Sequence, residues 1–121
     1  MSPLNDFYSV ENWNLTESGL SCTVSFNAAH KIFNGHFPGN PIVPGVCTIQ
    51  IIADLLQRAT GQQLQLSQAP NIKFLQLITP HVRPEVNISW TESEEIYTTN
   101  TSLKIGDATL FKMNASFSKK S

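Results

Sequence analysis

The sequence predicts an α+β domain in which one long central helix is wrapped by a highly curved antiparallel sheet of five to six strands. Two observations carry this. Residues 46–60 contain no helix breaker and are apolar round most of the helical circumference, and most of the chain on either side alternates apolar with polar residues. A helix so apolar belongs in the interior, and a single buried helix needs a sheet curled around it. The 121 residues amount to one domain, 1–121, long enough to bury a core without disulfide or metal staples.

The elements follow in order. Residues 1–12 mix Pro3 and polar residues with the aromatics Phe7 and Tyr8 without a period, and read as a short helix or an arm laid on the body. In residues 15–26, Leu20, Cys22, Val24 and Phe26 alternate with Ser21, Thr23 and Ser25, the period of a half-buried strand. Residues 27–45 hold Gly35, Pro38, Gly39, Pro41, Pro44 and Gly45; proline at every third position blocks both helix and central strand pairing, so an ordered loop is expected. The helix over 46–60 is closed by Gly61, where a C-terminal cap belongs. About four strands follow: 72–78, ending at Thr79-Pro80; one through Val86, Ile88 and Trp90; 96–105, ending at the hairpin dipeptide Gly106-Asp107; and one through Phe111, Met113, Ala115 and Phe117.

Composition narrows the function classes. A formal charge of −1 and scattered basic residues, with only Lys119-Lys120 as a run, give no clustered basic face for nucleic acid. Two cysteines, Cys22 and Cys47, make neither a disulfide framework nor a metal-ligand spacing and read as small core residues. No apolar run approaches the ~20 residues that span a bilayer, and no secretory apolar region opens the chain, so a soluble cytoplasmic protein is expected. No metal and no cofactor is implied.

Chemistry concentrates in GHFPGNPIVPG, residues 35–45, and the helix after it. His36 stands on stiff backbone, which suits a group that must meet a substrate proton in one position, but equally a histidine that satisfies a loop carbonyl. His30 and His81 lack that setting and read as structural or solvent-facing. Gly45 and Val46 fall where the loop becomes the helix, at unpaired amides and the positive end of the helix dipole, a plausible oxyanion hole; Gly45 also fits a purely conformational role. Gln50 and Asp54 are four residues apart on one helix face, and a carboxylate in so apolar a helix is costly unless paired or functional. A structural role would pair it with Arg58, one turn on, or with another cation.

The segment GHFPGNPIVPGVCTIQ resembles the active-site motif of the beta-hydroxyacyl-acyl carrier protein dehydratases of the hotdog fold, usually GHFPGxPIxPGVLxxEAxAQ. The likeness extends to FNAAHKIFNGHF before it and to Lys73-Phe74 through Pro80 after the helix. The resemblance implies a dehydratase that removes water from a 3-hydroxyacyl thioester to give the trans-2-enoyl thioester, in fatty-acid, lipid A or polyene-type acyl synthesis. It implies that His36 moves the α-proton, that the Gly45 amide binds the thioester carbonyl, that Phe37 and the prolines shape the loop, and that the acid comes from a partner's helix in a dimer. The chain departs from the pattern at that acid: Gln50 stands where the family has Glu or Asp, and Asp54 where it has glutamine. His81-Val82 also replaces the usual Gly-Asp after the proline.

An amide cannot donate a proton to a leaving hydroxyl as a carboxylic acid does. Three accounts follow. Asp54 is the acid, moved one turn along the same face; or the chain is a hotdog acyl thioesterase in which Asp54 activates water; or it is a non-catalytic or half-catalytic subunit of a heterodimer. The expected partners are therefore an acyl carrier protein thioester, with acyl-coenzyme A as the alternative, and a second hotdog subunit, identical or not, with higher oligomers possible. Lys31, Arg58, Lys73 and Arg83 are candidates for a cationic rim facing an acidic carrier protein.

Overall fold

A computed structural model describes residues 6–35 and 39–120. Six strands form one sheet: β1 Tyr8–Leu15, β2 Gly19–Phe26, β3 Leu64–Phe74, β4 Glu85–Ser93, β5 Ile96–Ile105 and β6 Ala108–Lys119, in the order β1-β2-β4-β5-β6-β3. Every neighbouring pair is antiparallel. A short 3-10 turn, Lys31–Gly35, precedes the single helix α1, Gly45–Thr60. This is the hotdog arrangement, with six strands.

Alternation along the strands and the helical period along α1 build one core. Leu20, Cys22 and Val24 of β2, Val86, Ile88 and Trp90 of β4, and Phe111, Met113, Ala115 and Phe117 of β6 are buried, and so are Cys47, Thr48, Ile51, Ile52, Leu55 and Leu56 of α1. Gly61 ends the helix at φ 70°, a left-handed conformation that glycine adopts without strain, and its amide bonds the Gln57 carbonyl at 2.9 Å. The Gln57 side chain then accepts the Leu64 amide at 2.8 Å, tying the helix end to the first residue of β3.

Two stretches differ from the sequence expectation. Residues 8–15 form a strand rather than a helix or loose arm. A register shift between Glu11 and Asn14, with Asn12 at φ 55°, moves the half-buried positions from Tyr8 and Val10 to Trp13, and this hides the two-residue period. The strand expected over 72–78 begins instead at Leu64 and stops at Phe74. β3 is an edge strand, exposed along most of its length, and its pairing with β6 shifts register twice around Pro70. An edge tolerates that proline, whereas a central strand would not.

Both edge strands of the sheet reach α1. β3 meets it at Gln57, and β1 brings Tyr8 and Trp13 to Asp54 and Arg58. One helix face stays uncovered in the single chain, with Val46 76% exposed and Gln50 and Ala53 half-buried. The helix is wrapped on one side rather than all round.

Candidate active site

The helix entry is built by Pro44, whose extended backbone (φ −59°, ψ 143°) turns the loop into α1. The Cys47 and Thr48 amides bond the Pro44 carbonyl at 2.9 and 3.2 Å. Among the described residues, the amides of Gly45 and Val46 take no partner, and no side chain caps them. They are the donors the sequence places at an oxyanion hole, at the positive end of the helix dipole.

Gly45 owes its identity to space. A Cβ there would lie 2.8 Å from Cζ and 3.0 Å from Cε1 of Phe74, which packs in turn on Phe111 with ring centroids 4.9 Å apart. The groove beside it, about 510 Å³, is lined mainly by apolar side chains including Ile42, Val43, Phe74, Leu77 and Ile78. Apolar walls that include Gly45, whose amide takes no partner among the described residues, suit an acyl chain ending in a polar carbonyl.

One and two turns into α1 lies the polar part of the site. Gln50 Nε2 donates to Asp54 Oδ1 at 2.9 Å, and the Tyr8 hydroxyl donates to Asp54 Oδ2 at 3.3 Å. Burial, and next the negative charge of Asp54, push the Tyr8 phenol well above its ordinary value, with Arg58 opposing. Arg58 does not ion-pair with Asp54; its guanidinium lies over the Trp13 ring, 4.3 Å from the centroid. The ion pairs among the described residues are Arg83–Glu11 and Lys119–Glu92, both 2.7 Å. The pairing of Asp54 with Arg58 expected from their spacing is thus replaced by contacts from Gln50 and β1.

The sequence-selected residues divide as follows. Gly45, Val46, Gln50 and Asp54 all lie on α1: Val46 and Gln50 are on its uncovered side, Gly45 stands against Phe74, and Asp54 is met by Tyr8 of β1. His36 and Phe37 lie outside the described residues. His30 accepts the Ile32 amide at Nδ1 (3.1 Å) and meets Phe7 edge-on, a structural setting; His81 is exposed. Cys22 and Cys47 are free and buried. Among the described residues no group of His, Cys, Asp and Glu could hold a metal ion, and no helix is long and apolar enough to cross a membrane. Of the four proposed rim cations, Arg83 is engaged by Glu11 and Arg58 by Trp13, while Lys31 and Lys73 are exposed. Sequence reasoning missed Tyr8: it read the first dozen residues as unpatterned, although the half-buried pair Tyr8 and Val10 was the available signal.

The sequence profile of the ApeI-like family, described as ApeI dehydratase, matches residues 12–109. The chain belongs to that family. Among curated proteins this ApeI-like chain is 38% identical over 64 residues to the 3-hydroxyacyl-acyl carrier protein dehydratase FabZ of Clostridium acetobutylicum, covering 47% of this chain and 44% of that one. It is 31% identical over 78 residues to FabZ of Levilactobacillus brevis, covering 59% and 52%. The chain thus spans about half the length of the curated relatives it matches. Among solved structures, the dehydratase heterocomplex ApeI:P from Xenorhabdus doucetiae superimposes with a TM-score of 0.76 at 20% identity, covering 91% of this chain and 96% of that one. At that identity the likeness speaks to the hotdog fold.

Proposed function

We propose that this ApeI-like chain acts in the dehydration of a 3-hydroxyacyl thioester carried by an acyl carrier protein, giving the trans-2-enoyl thioester. The observation that carries the reading is the helix entry. Among the described residues the amides of Gly45 and Val46 take no partner, and Gly45 lines an apolar groove of about 510 Å³, on the helix that presents Gln50 and Asp54. The thioester oxygen sits on those amides and the acyl chain in the groove; His36 removes the α-proton, whose electron pair forms the double bond as the β-hydroxyl departs with a proton as water. Asp54, carried by the same helix face as Gln50, serves the departing hydroxyl.

The working unit is a hotdog dimer. Support comes from exposed apolar side chains on edge strand β3 and beside it: Leu66, Ile72 and Phe74, with Val46 on the neighbouring helix face. Such an edge pairs readily with another hotdog subunit.

A second reading is favoured by the acid itself. Gln50, an amide, occupies the usual acid position, so in this reading a second, different hotdog subunit supplies the acid while this chain supplies His36. Purified protein is assayed for conversion of a 3-hydroxyacyl thioester to the conjugated enoyl product, alone and with a second hotdog subunit. Activity alone, abolished in His36→Ala and Asp54→Asn but not abolished in Gln50→Ala, supports the first reading. Activity only with the second subunit, or a gain in Gln50→Glu, supports the other. Thiol release without enoyl product refutes both and points to a thioesterase.

A further inference from the structure

The Asp54 carboxylate is gripped from two elements. Gln50, one turn earlier on α1, donates to Oδ1, and Tyr8, from the edge strand β1, donates to Oδ2. We propose that Tyr8 is a positioning residue, fixing the Asp54 carboxylate in one orientation for the reaction at the α1 site. The inference rests on the reading that Asp54 serves that reaction.

Several features make Tyr8 suited to this. Its backbone is anchored on both sides. Phe7 before it is fully buried against Phe26 and Phe33, and Tyr8 itself pairs with Phe26 across β1 and β2. Its hydroxyl is half-buried, and the groups that bear on it are Asp54 and Arg58 from α1 and Cys22 from β2, which in turn feels Glu85 of β4. Burial and the Asp54 charge keep the phenol protonated well beyond neutral pH, so it stays a donor and never competes as a base. Arg58, the cation that could have drawn Asp54 away, is held on Trp13, inside the register shift of β1. β1 therefore does two things at once: it supplies a donor to the acid and occupies its nearest helical cation. A carboxylate whose two oxygens are each held by a donor loses its freedom to rotate, and reaction geometry is sensitive to such freedom.

The test is Tyr8→Phe, which keeps the ring and removes the hydroxyl. In the dehydration assay, kcat falls roughly three- to tenfold, the worth of one hydrogen bond, while KM and melting temperature change little. Because the two residues act as a unit, Tyr8→Phe combined with Asp54→Asn is no slower than Asp54→Asn alone. A direct reading comes from ¹³C-labelled tyrosine at neutral pH: the Tyr8 Cζ resonance shifts in Asp54→Asn relative to the parent, as the hydroxyl loses its carboxylate acceptor. Unchanged kcat in Tyr8→Phe, with Asp54→Asn inactive, overturns the inference and leaves the role of Asp54 standing. Full activity in Asp54→Asn overturns the reading beneath it, and an unmoved Tyr8 resonance overturns the contact itself.

Discussion

Gly45→Ala is the substitution whose outcome the helix entry most directly decides. Inside a helix, glycine costs up to about 1 kcal/mol relative to alanine, less in the first turn, so propensity alone predicts a small gain. Sterics oppose it. The new Cβ would stand 2.8 Å from Phe74 Cζ, about 0.6 Å inside ordinary contact, and Phe74 must swing off both Gly45 and Phe111. Phe74 is 54% exposed, so it has room to move. What is lost is chiefly the aromatic pair and its packing, about 1–2 kcal/mol together. The net expectation is destabilisation by about 1 kcal/mol, a melting point lower by roughly 3–6 °C. Thermal unfolding of Gly45→Ala, Phe74→Ala and the double variant checks this. With the ring gone the added methyl meets no obstacle, so the double variant is no less stable than Phe74→Ala, a coupling of about 1 kcal/mol. Additive losses would refute the packing argument and return Gly45 to a conformational role.

Other expectations follow from burial and from the sheet edge. Burial holds the Cys22 thiol up to about 11, with Arg58 pulling the other way. Both states are protonated below about 9; above it the unfolded thiol ionises first, so stability falls by roughly 2 kcal/mol at most between about 9 and 11, allowing for solvent screening. Urea unfolding across that range has a shallower pH slope in Cys22→Ala, and an unchanged slope contradicts the assignment. Thr101 buries a hydroxyl with no hydrogen-bond partner, so Thr101→Val raises stability by about 1 kcal/mol, read as a higher urea midpoint. Leu66→Lys with Ile72→Lys places charge on the exposed apolar edge of β3 and converts the proposed dimer to monomer by light scattering, with far-ultraviolet circular dichroism unchanged.

The sequence reached far where one physical signal dominated. Continuous apolarity without breakers marked α1 to within a residue, with Gly61 as its cap. Alternation marked β2, β4 and β6, since each has one buried face, and the Gly106-Asp107 turn marked the end of β5, whose buried face includes Thr99 and Thr101. It failed at β1 and β3, the two edges, where register shifts and two-sided exposure remove the period.

The same division runs through the site. Sequence by itself determined that Gly45 opens a helix and that Gln50 and Asp54 share a face, because helical geometry converts spacing directly into neighbourhood. Only the tertiary structure decided who else stands there. Tyr8, 46 residues from Asp54, arrives by the curl of the sheet, and Arg58, four residues away, is taken by Trp13. Spacing along a helix names the contacts a residue could make; competition from the strands folded over it selects among them.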